Sequence, residues 1–337
     1  MKNILLIGGT GVLGSGISRI LKKRNNEINI LLGSRNPSTE NQIEVDVNRP
    51  NTFQNMINHK VDLVVMCTTD PLDTVLSFCI NQEIDYLDVT KPSPQLTKTY
   101  QNFTNTPINS RIVLASAWMG GAIPSLIKDA CHSDEIIDVK IFIYYSLEDR
   151  SGKSAADFMA ENVSTSFSIY TNSTTQKVRH FEGAEKHNFS FIKNTSLKTT
   201  YFDIPDLFIL HKVENIKNIV AKVAYSSNAT NNILALLQKL NIFRLLSLST
   251  RKKLFQSQGK GDITGFEIYI KKKDNIQQKV SLVHQDGQSE LTAYSTCLNI
   301  EQLLNKQIDN GFYFSHQLYR KGEYTTKLKT NNKISIK

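Results

Sequence analysis

The sequence predicts a doubly wound, parallel α/β domain followed by an α+β domain with an open mixed sheet, and three observations predict it. The apolar run Ile4-Leu5-Leu6-Ile7 leads directly into Gly9-Thr10-Gly11-Val12-Leu13-Gly14 and a helical stretch from Ser15 to Lys23. Short apolar strands alternate with helical segments through the first third of the chain. After Gly120-Gly121-Ala122-Ile123-Pro124 the pattern changes to long strands with fewer crossovers. Strand–helix alternation implies a parallel sheet with both faces covered, whereas the later pattern implies an open sheet. The expected domains are 1–122 and 123–290.

In order, the first strand, glycine turn and helix form a dinucleotide-binding element. Gly9 is expected to make the tight turn, Gly11 to let the backbone approach a pyrophosphate, and Gly14 to let helix and strand pack closely. Leu13, Ile17, Ile20 and Leu21 recur at helical spacing and should face the core. Ile28 to Leu32 reads as the second strand and Ile43-Glu44-Val45 as the third, followed by Asp46-Val47 and a helix over about Asn51 to Asn58. Val61 to Met66 is a strand buried on both faces, ending in Cys67-Thr68-Thr69-Asp70-Pro71. A helix over about Leu72 to Asn81 and strands at Ile84 to Val89 and Arg111 to Ala115 complete a Rossmann-like sheet. Ligands in such sheets sit beyond the carboxyl ends of the strands. Here those ends are the glycine loop, Ser34-Arg35, Asp46-Val47, Cys67-Thr68-Thr69 and Thr90-Lys91.

The second half reads as a helix over about Pro124 to Cys131 and strands at Val139 to Tyr145, Thr199 to Phe202, Gly265 to Lys271 and Gln278 to His284. Phe266, Ile268 and Ile270 alternate with Glu267, Tyr269 and Lys271, which predicts one apolar and one polar face. Helices are expected over Asp157 to Tyr170, Lys212 to Tyr225, Ile233 to Gln238 and Leu291 to Asn305, and a polar, mobile tail after Gly322.

Ser34 and Arg35 stand where NAD-binding versions carry an acid for the ribose 2′-hydroxyl. A guanidinium and a hydroxyl suit a 2′-phosphate, which a carboxylate would repel, so NADP is the expected cofactor. The chain has 337 residues, 40% hydrophobic and 21% charged, with a formal net charge of +9 scattered in short clusters such as Arg251-Lys252-Lys253. No aromatic residues interleave with these clusters, so no nucleic-acid partner is expected, and the charge is read mostly as solvated surface favouring anionic ligands. Cys67, Cys79, Cys131 and Cys297 have no metal-ligand spacing, so no metal is expected. No apolar run approaches a membrane span, and four apolar residues near the start are too few for a signal peptide. No membrane partner and a cytoplasmic location are the expectations.

These pieces resemble the saccharopine dehydrogenase-like family of NADP-binding oxidoreductases. The matching residues are Gly9 to Gly14, Gly33-Ser34-Arg35, the segment Cys79 to Thr90 with its Tyr86-x-Asp88, the turn Ala117 to Pro124, and Leu291-Thr292-Ala293. The resemblance covers residues 1 to about 130 well and thins afterwards. It implies two domains with a cleft, a C-terminal segment over about 291–337 returning to the first domain, and redox chemistry at a carbon–nitrogen or carbon–oxygen bond of a small, carboxylate-bearing substrate. The turn reads Gly-Gly-Ala-Ile-Pro where relatives often have Pro-Gly, so activity on saccharopine itself is not implied. A homodimer is a further expectation.

Candidate chemistry outside the cofactor loops is thinner. Lys91 directly follows a carboxyl strand end and is the candidate proton donor, provided its pKa falls toward neutrality. Arg150 and Lys153, in Asp149-Arg150-Ser151-Gly152-Lys153-Ser154, are candidate contacts for a substrate carboxylate. His211 and His284 are weaker general-acid candidates. Tyr269-x-x-x-Lys273 lies in a strand pattern and lacks the helical face that a Tyr–Lys pair needs. A nucleotide-binding regulator without turnover is the alternative to an enzyme.

Overall fold

The computed structural model describes residues 1–24, 27–150, 152–172, 174–256, 259–305 and 308–337. In chain order it contains β1 (Lys2–Ile7), α1 (Val12–Arg24), β2 (Ile28–Ser34), β3 (Gln42–Glu44), α2 (Gln54–Asn58), β4 (Leu63–Met66), α3 (Thr74–Asn81), β5 (Asp85–Asp88), α4 (Ser93–Phe103), β6 (Arg111–Leu114) and α5 (Ala122–Ala130). There follow β7 (Ile136–Tyr145), α6 (Lys153–Asn162), β8 (Ser166–Thr171), β9 (Thr174–Arg179), β10 (Glu185–Asn188), β11 (Ser196–Tyr201), α7 (Asp206–Phe208), β12 (Asn218–Tyr225), α8 (Asn228–Lys239), α9 (Ile242–Leu245), α10 (Leu248–Phe255), β13 (Thr264–Lys272) and β14 (Gln277–His284). The chain ends with α11 (Gln288–Asn305), β15 (Gly311–Phe314), α12 (Glu323–Leu328) and β16 (Ile334–Ile336).

One compact unit comprises Met1–Ala122 and Ser289–Tyr319. Its sheet runs β15-β6-β5-β4-β1-β2-β3, and every pairing is parallel. The order reverses between β1 and β4, which is the switch point where doubly wound sheets open a crevice. β1 and β4 flank that point, and both are buried because helices cover the two faces. α1 buries Ile17 and Leu21, while Leu13 and Ile20 stay half-exposed. At Gly16 an added Cβ would lie 3.1 Å from the Ala293 methyl, so only a small residue lets α1 and α11 approach this closely. In the turn before α5, Met119, Gly120 and Gly121 all have positive φ, and a Cβ on Gly120 would sit 2.9 Å from that of Ser295.

The second unit comprises Ile123–Gln288 and Arg320–Lys337. Its mixed sheet runs β10-β11-β12-β7-β13-β14-β16, with the β8–β9 hairpin beside β12. β12 and β7 pair in parallel through eight residues, and β13 pairs antiparallel to β7.

Several expectations are corrected. The helix expected over Asp157 to Tyr170 ends at Asn162, and Ser166–Thr171 is strand β8, whose buried Phe167 and Ile169 alternate at period two. The helix expected over Lys212 to Tyr225 is largely strand β12, where the β-branched Ile219, Val220 and Val223 sit within the sheet. A short apolar run fits either period, and pairing with β7 decides it. α4 and β15 were not foreseen. The C-terminal segment divides: 289–319 belongs to the first unit, while 320–337 builds α12 and β16 in the second. The tail is anchored rather than mobile, since Tyr324 and Leu328 are fully buried and β16 pairs with β14. The supposedly polar face of β13 is covered: Glu267 is fully buried beneath His187 and Ser190, which bond its carboxylate at 2.8 and 2.6 Å.

Candidate functional site

The glycine turn is built by close approach. Gly8 has φ +84, and Gly11 N–H donates to its carbonyl at 3.0 Å. The left-handed residue of the turn is therefore Gly8, not Gly9 as the sequence suggested; the pattern Gly8-Gly9-x-Gly11 hides which glycine is needed for φ. Gly9 is required for space instead, since a Cβ there would lie 2.7 Å from Leu32 Cδ2 and 2.9 Å from the Leu6 carbonyl. Gly14 is the tightest of the three, as its Cβ would stand 2.5 Å from Gly9 Cα. Thr10 and Gly11 are exposed, and beside Gly11 an added Cβ would meet the Gly8 carbonyl at 3.2 Å. The i−4 ladder of α1 includes Ser15 N–H donating to the Gly11 carbonyl at 2.9 Å. The Val12, Leu13 and Gly14 amides precede that bond, so the helix start presents N–H groups and the positive end of its dipole. A Cβ on Gly8 would reach 3.0 Å from that of Thr68, which places the turn against the end of β4.

Beyond β2, Ser34 is half-buried and its Oγ accepts the Asn36 N–H at 3.2 Å, while Arg35 is exposed. Among the described residues no ion pair engages Arg35. Asp46 is buried and turned inward: Oδ1 accepts Asn48 N–H and Oδ2 accepts Arg49 Nε, both at 3.0 Å. The Asn48 amide and the Arg49 guanidinium hold its carboxyl below the usual range. Val47 is half-buried, and its carbonyl accepts the Thr74 hydroxyl at 3.2 Å. Arg49 also pairs with Glu44 at 2.9 Å and reaches the Arg35 carbonyl at 3.4 Å. Asp46 thus anchors its own turn, and the exposed cation at the end of β2 is Arg35.

At the ends of β4 and β5 lies a buried network that sequence reasoning did not assemble. Lys91 is 1% exposed, with Nζ 2.5 Å from Asp73 Oδ1 and 3.1 Å from Asp88 Oδ2. Asp73 Oδ2 accepts the Thr99 hydroxyl from α4 at 2.7 Å. Asp88 accepts the Tyr86 hydroxyl at 2.8 Å and the Thr90 N–H at 2.7 Å. Thr90 Oγ1 lies 2.7 Å from Asp88 Oδ1 and 3.2 Å from the Thr68 carbonyl. Asp70 caps the start of α3 by accepting Val75 N–H at 2.7 Å, and Gln95 donates to its carbonyl. Cys67, Thr68, Thr69 and Thr90 are half-buried around these anchors, and burial pushes the Cys67 thiol's pKa well up. Burial alone would lower the Lys91 pKa, but Asp88 and Asp73 outweigh it and raise the pKa above the ordinary lysine value. The proton-donor reading of Lys91 looked for a fall toward neutrality, and its two carboxylate partners work against that fall. Lys91 is an ion-pair hub joining the β4 and β5 loops. Tyr86-x-Asp88 carried the available sequence signal; Asp73 carried none, because its left-handed φ of 55 and its partners are tertiary.

In the second unit, Arg150 is exposed and its N–H donates to Asp149 Oδ1 at 2.7 Å. Lys153, 88% exposed in its side chain, pairs with Asp157 at 3.5 Å in the first turn of α6. Ser151, between them, lies outside the described residues. Asp149 is buried and pushed up to about 6 by burial, with the Gln288 N–H donating to it at 2.9 Å. His211 stacks on Tyr170 at 3.6 Å and bonds the Ile216 carbonyl, while His284 is buried and accepts Asp286 N–H. The Tyr269 hydroxyl donates to Glu267 at 3.0 Å, which confirms a strand rather than a helical Tyr–Lys face.

This architecture, a parallel Rossmann-like sheet in one unit and a mixed sheet in the other, has a solved counterpart in fold. It is similar to the solved structure of apo saccharopine dehydrogenase (L-Glu forming) from Saccharomyces cerevisiae, with a TM-score of 0.66 over 100% of this chain and 99% of that one at 12% identity. More distant in shape are a meso-DAPDH mutant with DAP from Clostridium tetani, with a TM-score of 0.48 at 11% identity over 98% of this chain and 100% of that one, and dipicolinate-bound dihydrodipicolinate reductase from Paenisporosarcina, with a TM-score of 0.45 at 12% identity over 95% and 100%. No family model matches the sequence, and no curated protein does either.

Proposed function

We propose that this protein is an NADP(H)-dependent oxidoreductase acting on a small, carboxylate-bearing substrate. The observation that carries the reading is the glycine cradle at the switch point, where a side chain at Gly9 or Gly14 would strike the backbone. That cradle suits a diphosphate drawn against the start of α1. Ser34 and the exposed Arg35 would hold the 2′-phosphate, while the buried Asp46 is committed to Asn48 and Arg49. Thr68, Thr69 and Thr90 would orient the nicotinamide end, with Lys91, Asp73 and Asp88 fixing their loops. The bound nucleotide supplies or accepts the hydride; this chain's contribution is positioning. Arg150 and Lys153 remain the proposed substrate-carboxylate contacts.

Calorimetric titration with NADPH and NADH tests the cofactor. NADPH should bind at least about tenfold more tightly, the scale of one charge-assisted contact, and Arg35→Ala should remove the preference. Equal affinities would overturn it. Loss of NADPH absorbance with oxo-acids and amines tests turnover. A nucleotide-sensing regulator is the second reading, favoured by one observation: the lysine after β5 is buried and locked between two carboxylates.

A further inference from the structure

The helices α8, α9 and α10 carry an outward face that the nucleotide site does not use. α8 is held from one side: Asn231, Leu234 and Gln238 are buried, and Ser227 Oγ caps its start by accepting the Thr230 N–H. The opposite side presents Ile233, Leu236 and Leu240, which are 57%, 54% and 56% exposed. Spaced by three and seven residues, they fall within one stripe of the helix. The following turn adds Leu245, 83% exposed, and Leu248, 41% exposed, while Phe243, between Leu240 and Leu245, is fully buried and fixes the turn. Most large apolar side chains exposed in the described chain fall within 233–254, so this is a patch rather than the scatter found on ordinary surfaces.

Along 228–256 the chain's own charge has one sign, and the acids set beside it are Asp157 and Glu161 of α6, which face Lys252. From Asn228 to Gln256 the sequence holds Lys239, Arg244, Arg251, Lys252 and Lys253 and no Asp or Glu. Lys252 is paired with Asp157 at 2.8 Å, but Lys239, Arg244 and Lys253 are exposed, and among the described residues no ion pair engages them. We infer that this basic, leucine-studded face docks on an anionic lipid surface. A second copy of the chain would bring the same cations against them, which like-charge repulsion opposes. A protein partner is favoured by aromatic anchors at a patch centre, whereas the apolar residues standing out here are Leu and Ile. A lipid headgroup boundary accepts such side chains in any arrangement, and anionic headgroups attract the flanking cations. The helices would lie on the membrane: among the described residues no helix is long and apolar enough to cross one. The sequence-based expectation of no membrane partner addressed only spanning segments.

The test is co-sedimentation of the full chain with vesicles of phosphatidylcholine alone and of phosphatidylcholine mixed equally with phosphatidylserine. Binding should be about tenfold or more stronger on the anionic vesicles and should weaken with salt. Leu236→Glu with Leu245→Glu should lower it at least about tenfold by opposing insertion, and Arg244→Glu with Lys253→Glu should do the same by reversing attraction. Circular dichroism and NADPH affinity, unchanged in both pairs, separate loss of docking from loss of fold. Three results would each overturn the inference. They are no binding to anionic vesicles, anionic binding untouched by the leucine substitutions (which is basicity alone), and self-association in ultracentrifugation that depends on these leucines.

Discussion

Lys91→Met removes a buried cation and leaves its two carboxylate partners in place. The Lys91 side chain is 1% exposed, Asp73 7% and Asp88 0%, so water cannot re-solvate what remains. Removing one member of a buried ion pair costs about 3–5 kcal/mol, because the surviving charge is uncompensated. For a unit of this size that corresponds to a fall of roughly 6–20 °C in Tm. Urea and thermal unfolding of wild type and variant measure it. Adding Asp73→Asn to Lys91→Met deletes one of the stranded charges and should recover a substantial part of the loss. The pH dependence gives a second check. The folded-state pKa of Lys91 lies above its ordinary 10.5, so its contribution is full below about pH 10.5 and is lost as pH rises through the folded value. The gap between wild type and Lys91→Met should hold steady from neutrality to that point and close above it. A loss under about 1 kcal/mol, the range of an exposed pair, would refute the buried-hub account.

Gly14→Ala sets a methyl 2.5 Å from Gly9 Cα, so the turn must shift; NADPH affinity should fall sharply in calorimetry, and stability by about 1–3 kcal/mol. His180 is buried among Phe158, Phe167 and Phe202, its Nδ1 has no hydrogen-bond partner among the described residues, and burial lowers its pKa from 6.5 to about 3. Its folded pKa is depressed, so stability is retained above pH 6.5 and falls by up to about 1.36 kcal/mol per unit toward pH 3, a slope that His180→Leu should remove in unfolding titrations. Burial raises the Glu267 pKa, but His187, Lys279 and Ser190 more than offset it and hold the carboxyl well below 4.5. Glu267→Gln should therefore cost stability at neutral pH, on the order of 3 kcal/mol, and the gap should shrink as pH falls below 4.5.

The first unit was legible because its signals are local. An apolar run long enough for one strand, a glycine turn and a 3.6-period helix act within about twenty residues, and repetition of that pattern implies a parallel sheet. The glycine turn and the cation at Arg35 follow from the same stretch. The second unit was legible only where a strand showed one clear period, as in β13 and β14. β12 reads equally as helix or strand, and eight pairings with β7 settle it. The polar residues of β13 predicted a wet face, but Glu267 is dry because the segment carrying His187 and Ser190, eighty residues earlier, folds over it. Lys91 shows the same division most sharply. Its place at the end of a strand is written in the sequence, and so is its charge. Whether that ammonium can release a proton depends on Asp73 and Asp88, brought to within about 3 Å by the β4 and β5 loops. Coulomb interaction depends on distance through space and on exclusion of water, and both are settled by packing between segments remote along the chain.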